Sequence, residues 1–382
     1  MNLMEAIKAV PDHRQARGIR HPLWLILTII LLGSCTGYWG YKPLVDFTEN
    51  HRATLIKLFD LPRDVRFPSH STFRKIIQSL DFEILAVLFN VWSQQTLPRK
   101  PGELMAIDGS IKSTLVGSNT SYQNFVSMVS VYSHERGWVI RHKVMENQQQ
   151  SEISVVEELI QELSGSHVVI TADALHCQKK TLALIIDGGN DYIVTIKKNQ
   201  LNLFLTAQKV VESQLASDSN QTSENLHGRS TTRTTTIYAI DTELLPLWAG
   251  AKHIIAIERT GNRWQGKKSH RRLVEFHELH YYLSSLDWSA NQFAEAIRGY
   301  WLIENRLHWV KDVTLNEDNC IHRGGNAPAN WAMVRQFLVS LARMSGTNTL
   351  PQALRLMANQ IDNLSQLLFG FCSLQKPVKS FT

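Results

Sequence analysis

Apolar and polar positions alternate in two distinct ways along the chain. Over the first hundred residues the apolar positions recur at helical spacing, at Leu44, Phe47, Leu55 and Leu58 and again at Phe73, Ile76, Ile77 and Leu80. Pro43, Pro62 and Pro68 punctuate the pieces. Beyond Leu97-Pro98-Arg99-Lys100-Pro101-Gly102 the texture changes to short apolar runs bounded by turns. Leu104 to Asp108 reads as a buried strand ending on an acid. Phe125 to Tyr132, a turn at His134-Glu135-Arg136-Gly137 and Trp138 to Val144 predict a hairpin. Residues 152–163 place Ile153, Val156, Leu159, Ile160 and Leu163 on one helical face. His167 to Asp173 is another apolar strand ending on an acid, and Tyr192 to Lys197 a further strand. This order predicts an α/β mixed sheet with an antiparallel start.

From 201 to 290 the pattern is looser. A Ser, Thr and Asn-rich stretch, Ser213 to Arg233, precedes strand candidates at Thr234–Ile240, His253–Ile257 and His280–Leu283. Residues 290–312 again read as helical, with Phe293, Ile297, Trp301, Glu304, His308 and Lys311 at steps of three or four. A helical tail is expected from Trp331 to about Leu368. The pattern therefore divides into a helical part over 1–97, an α/β part over 98–200, a β-rich part over 201–290 and helical parts over 291–345 and 346–382.

The longest apolar run, Leu23 to Leu32, is half the length of a membrane span of about 20 residues and predicts a buried helix. No membrane partner is expected. The four cysteines, Cys35, Cys177, Cys320 and Cys372, form no CxxC pair, so a zinc knuckle or disulfide framework is not supported and a reducing, cytoplasmic setting is. The chain carries 40 Lys and Arg against 34 Asp and Glu. Residues 1–100 hold 13 of those cations against 8 acids, so most of the basic excess lies in the helical N-terminal part. There Arg74 and Lys75 follow a polar helix start at Pro68-Ser69-His70-Ser71, an arrangement suited to DNA phosphates or to an ordinary solvated turn.

Three acids stand in apolar settings. Asp108 and Asp173 each end a buried strand, where an unpaired carboxylate is costly, and Glu304 lies in Tyr300-Trp301-Leu302-Ile303-Glu304. Either local salt bridges and caps satisfy them, or a divalent cation does, since Mg²⁺ takes carboxylate, water and phosphate oxygens. Lys311, seven residues beyond Glu304, falls on the same helical stripe and could hold a phosphate. The run Arg259 to Arg272 has six Lys and Arg, including Arg263, Lys267 and Lys268, with Trp264 and no acid. It reads as an exposed hairpin or loop, a solubilising turn or a DNA-facing arm whose Trp stacks on a base.

In this order the motifs resemble those of the DDE transposases of bacterial insertion sequences, in particular the H-repeat-associated group. The resemblance rests on Asp12-His13-Arg14, Arg20-His21-Pro22-Leu23, Ala106-Ile107-Asp108-Gly109, Thr171-Ala172-Asp173-Ala174-Leu175-His176-Cys177-Gln178, Lys197-Lys198-Asn199-Gln200, His227-Gly228-Arg229, and Ile303-Glu304-Asn305-Arg306-Leu307-His308-Trp309 with Asp312-Val313 and Glu317-Asp318 behind. It implies a ribonuclease-H-like core with Asp108, Asp173 and Glu304 as catalytic metal ligands for two Mg²⁺ (or Mn²⁺) ions. It also implies that 1–97 is a DNA-binding domain, that 98–200 and 291–345 form the catalytic core, and that 201–290 is a β-rich insertion between the second and third acids, with 346–382 a helical tail. The implied activity is cleavage of DNA at the element ends and strand transfer into a target. The implied partners are double-stranded DNA, in the form of terminal inverted repeats and target, and a second copy of the chain or more, at the bacterial nucleoid. The chain departs from the pattern where relatives often carry Tyr and Arg, here Ile297 and Tyr300, and where a Lys commonly follows Asp-Gly, here Ser110. A transposition-inactive DNA-binding relative and a nuclease of the same fold that does not join strands are the alternatives.

Overall fold

The structure, a computed structural model, describes residues 2–96, 100–114, 125–146, 151–226, 229–241, 243–265, 272–303, 307–317, 322, 324–347 and 349–370. The chain divides into two units. The first comprises residues 1–98, 109–152 and 304–382, and the second 99–108 and 153–303.

The first unit opens with α1 (Leu3–Ala9), α2 (Leu23–Cys35), α3 (Tyr41–Asn50), α4 (Arg52–Phe59), α5 (His70–Ser79) and α6 (Phe82–Thr96). Asn2 and Glu5 form a reciprocal capping box that starts α1. The apolar run of α2 is buried on every side, as a core helix requires. No single helix among the described residues is long and apolar enough to cross a membrane. Strand β1 (Leu104–Thr114) passes from the second unit into the first, where its distal half continues the order β1-β2-β3 with β2 (Phe125–Ser133) and β3 (Val139–Glu146). The expected hairpin is present, with β2 and β3 antiparallel. β3 is an edge strand, and Asn90 of α6 satisfies its exposed backbone. The Asn90 amide donates to His142 O at 2.9 Å, and His142 N–H donates to Asn90 Oδ1 at 3.1 Å. After a π-helical turn at Val310–Thr314, helix α11 (Ala327–Met344) runs buried through this unit, followed by α12 (Leu350–Asn359) and α13 (Ile361–Phe369). Asn330 of α11 donates to Ile77 O and Leu80 O, which closes the end of α5.

The second unit is a sheet in the order β1-β4-β5-β9-β8-β7-β6, with β4 (Val169–Ala172), β5 (Asp191–Ile196), β6 (Asp218–Leu226), β7 (Arg229–Ala239), β8 (His253–Gln265) and β9 (Arg272–Ser284). β1, β4 and β5 are parallel and β5 through β9 to β6 antiparallel, so the sheet is mixed, as expected. Helices α7 (Glu152–Glu162) and α8 (Lys179–Asp187) supply the parallel crossovers. Helix α10 (Ala290–Ile303) lies on one face, where Ala290, Phe293, Ala296 and Ile297 pack against Val169, Ile193, Ile237, Ile255 and Tyr282, with Leu104 alongside.

Residues 201–213, within the loosely patterned stretch, form helix α9 (Leu201–Ser213). The polar stretch after it is ordered as β6 and the start of β7, held by cross-strand polar pairs such as Ser223 with Thr232 and Gln221 with Thr234. The helical reading of 290–312 holds over the described residues, as α10 to Ile303 and a π-helical turn at Val310–Thr314.

Candidate active site

Asp108 and Asp173 arrive at the same place by strand register. β1 and β4 run parallel with Leu104 opposite Val169, Ala106 opposite Thr171 and Ile107 opposite Ala172. The next residue on each strand is the acid. Leu104 and Val169 both face α10. Alternation then puts Asp108 and Asp173 on that same face, because successive side chains point to opposite sides. Asp173 keeps extended backbone, φ −76° and ψ 179°, so the alternation carries through to it. Adjacent strands lie about 4.8 Å apart, which brings two carboxylates close together at the carboxyl end of parallel strands. In open α/β sheets that end is where ligands bind.

Both acids are half-buried. Asp173 Oδ1 accepts from Leu175 N–H at 2.8 Å and caps a single 3₁₀ turn, Ala174–His176. Its Oδ2 accepts no hydrogen bond among the described residues. Two like charges at this spacing repel, and a divalent cation bridging them removes the repulsion. The donor set therefore fits a hard cation with open positions for water and phosphate oxygens. Glu304 lies outside the described residues, and among those described no group of three His, Cys, Asp or Glu side chains converges on one point. Gly109, next after Asp108, lies beside the end of the Glu152 side chain at the start of α7, where a Cβ would stand 2.6 Å from its carboxylate and the flexible side chain would have to move. That proximity had no signal in the sequence.

Cys177 offers no competing nucleophile. Burial, with the charge of Asp173 adding to it, pushes its thiol up to about 12. The thiolate fraction near neutrality is negligible.

The other expected site residues fall in separate places. Arg74 and Lys75 lie exposed on α5, whose opposite face buries Phe73, Ile76 and Ile77. Lys311 is not presented to solvent. It is 1% exposed, with its ammonium 3.2 Å from Gln336 Oε1 and 3.8 Å from Glu317. A phosphate contact by Lys311 does not fit this burial. Arg263 and Trp264 sit near the far end of the β8–β9 hairpin, where Trp264 is 45% exposed opposite Leu273. Arg263 and Arg259 both pair with Glu278 at 3.1 Å, so part of the arm's charge is neutralised within the hairpin. Lys267 and Lys268 lie outside the described residues. Ile297, one of the departures from the family pattern, is a core residue on the buried face of α10.

Comparison with known proteins identifies the family. Residues 100–341 match the family described as "Transposase DDE domain", and residues 4–93 match "DDE_Tnp_1-associated". "Putative transposase YncI" of Escherichia coli O157:H7 is 30% identical over 351 residues, which are 90% of this chain and 87% of that protein. "H repeat-associated putative transposase YhhI" of Escherichia coli K12 is 29% identical over 349 residues, 89% of each chain. A piggyBac transposase in a synaptic complex with hairpin DNA aligns with 99% of this chain and 83% of its own at 11% identity, with a TM-score of 0.44. With an acid pair at the ends of parallel strands and a family match across its core, this chain belongs to the DDE transposases of insertion sequences, enzymes that cut and join DNA and generally depend on divalent metal.

Proposed function

We propose that Asp108, Asp173 and Glu304 form the catalytic centre, and that the enzyme cleaves double-stranded DNA at the terminal inverted repeats of its element and joins the freed ends to target DNA. The observation that carries this reading is the parallel register Ile107 opposite Ala172, which sets two half-buried acids side by side on one face of the sheet. α10 packs on that face and leads in sequence to Glu304, the third acid. Divalent cations held by these carboxylates, two in number, supply Lewis acidity and an activated oxygen nucleophile. Asp108 and Asp173 hold the charge near the scissile phosphate, and the Leu175 N–H bond fixes the orientation of Asp173. In the first step a water oxygen bonds to phosphorus while the P–O bond to the 3′ oxygen breaks, leaving a 3′-hydroxyl. In the second that hydroxyl attacks a target phosphate and a target 3′ oxygen leaves. Both are in-line displacements, so one site serves both without a covalent enzyme intermediate. Arg74 and Lys75 bind the duplex backbone in this scheme, and the β8–β9 arm, with Arg263, Trp264, Lys267 and Lys268, faces the DNA end. Two ends must be held together, which favours a homodimer or larger assembly at the nucleoid.

The test uses duplexes copied from the DNA flanking the element's gene. Asp108→Asn and Asp173→Asn should each abolish Mg²⁺-dependent cleavage while leaving duplex affinity within about threefold, because base and backbone contacts lie elsewhere. Cleavage at the wild-type rate by Asp108→Asn removes the acid centre from the mechanism. Nicked but never joined products would identify a nuclease instead.

A further inference from the structure

The geometry points to Lys197 as the cation that grips the reacting DNA phosphate beside the acid pair, an assignment that rests on the catalytic centre proposed above.

Three parallel strands set the position. Ala106 of β1, Thr171 of β4 and Ile193 of β5 share one register level. Ile193 packs with Val169 under α10, so it lies on the same face as both acids. Two residues along each strand come Asp108, Asp173 and Thr195, and two further on β5 comes Lys197. Its backbone is extended, φ −133° and ψ 178°, so the alternation reaches it and Lys197 belongs to the acid-bearing face. One strand across and two residues along place its Cα about 8 Å from that of Asp173, given strands about 4.8 Å apart and a rise of about 3.3 Å per residue. The four-carbon stem of a lysine covers most of that distance and carries a mobile point charge at its end.

The turn that holds it is tied to the acid. Asn199, two residues on, donates its amide to Ala174 O at 2.6 Å, and Ala174 directly follows Asp173. The loop after β5 is thereby latched to the loop after β4. Lys197 and Lys198 are both exposed, and neither forms an ion pair among the described residues. Lys311, the cation that the chain's periodicity offers for this role, is buried against Glu317 and Gln336. A phosphate beside a pair of carboxylates is repelled by them. A cation at the same strand ends offsets that repulsion and holds the phosphate in line.

The experiment compares full-length Lys197→Gln, Lys197→Arg and Asp108→Asn with the wild type, on the flanking-DNA duplex. Lys180→Gln is the charge-matched control, since Lys180 lies on α8 and pairs with Glu157. Single-turnover cleavage in Mg²⁺ at saturating DNA and the salt dependence of binding by fluorescence anisotropy are measured. Lys197→Gln should slow cleavage at least tenfold and reduce the salt slope by about one unit, one phosphate contact fewer. Lys197→Arg should recover the rate to within threefold, and Lys180→Gln should change neither quantity. Wild-type rate and slope in Lys197→Gln overturn the assignment. If Asp108→Asn is inert while Lys197→Gln is unaffected, only the lysine falls. If Asp108→Asn cleaves normally, the acid centre falls and the lysine assignment with it. The binding measurement needs no turnover, so it decides the question even where cleavage is slow.

Discussion

Replacing Lys311 by methionine separates a buried structural charge from a DNA contact. Lys311 is 1% exposed and Glu317 4% exposed, with 3.8 Å between ammonium and carboxylate. At that distance, with an effective dielectric constant of about 20, their attraction is about 4 kcal/mol, and desolvation of both charges offsets much of it. The pair as a whole therefore contributes little net stability. Removing one member is different, because it removes the countercharge that lies 3.8 Å from Glu317 while that carboxylate stays buried, a change that costs about 3–5 kcal/mol. For a folded unit of roughly two hundred residues, at about 2–4 °C per kcal/mol, melting should fall by roughly 10 °C. The Lys311→Met, Glu317→Leu double variant removes both charges and should recover most of the loss. His142 gives a second readout. Its imidazole is pushed down to about 3, first by burial and then by the charge of Lys311, so Lys311→Met should raise it. Calorimetry on the two variants, with NMR of the His142 ring and the salt slope of DNA binding at a temperature where both are folded, makes the assay. The slope should not change. An unchanged melting temperature with a slope reduced by about one unit in Lys311→Met would refute the buried pairing and return Lys311 to the DNA interface.

Neutralising Arg74 and Lys75 together, as the double Gln variant, should lower the salt slope of duplex binding by about two units and leave melting unchanged, since both project from the solvent face of α5. A slope equal to the wild type in an anisotropy titration would take this helix off the DNA. Trp264→Ala should slow cleavage of fully paired ends more than of ends opened by a mismatch, because stacking on an unpaired base contributes about 1–3 kcal/mol. Equal rates on both substrates would leave Trp264 as a packing partner of Leu273 on the hairpin surface.

The sequence by itself determined the elements whose apolar pattern is local. The helices α2 and α5, the strands β1, β4 and β5 and the amphipathic α7 follow from apolar runs and helical spacing, because each must bury one face or all faces. The same signal exposed Asp108 and Asp173 as acids where a strand stops being apolar. It could not show that they are neighbours. That follows from the pairing of Ile107 with Ala172, sixty-odd residues apart, and a register between parallel strands is chosen by the packing of the whole sheet beneath α10. The strand character of β6 and of the first half of β7 was hidden for a related reason. Their Ser, Thr and Asn side chains are satisfied across the pair, so no hydrophobic period marks them. The burial of Lys311 had no local signal, because only the fold brings Glu317 and Gln336 to it. Lys197 was visible as part of a motif, yet its place beside the acids depends on β5 lying next to β4. Local periodicity reports which side of an element avoids water, whereas the meeting of charges from distant elements depends on tertiary pairing, where the cost of burying each charge is offset or left standing.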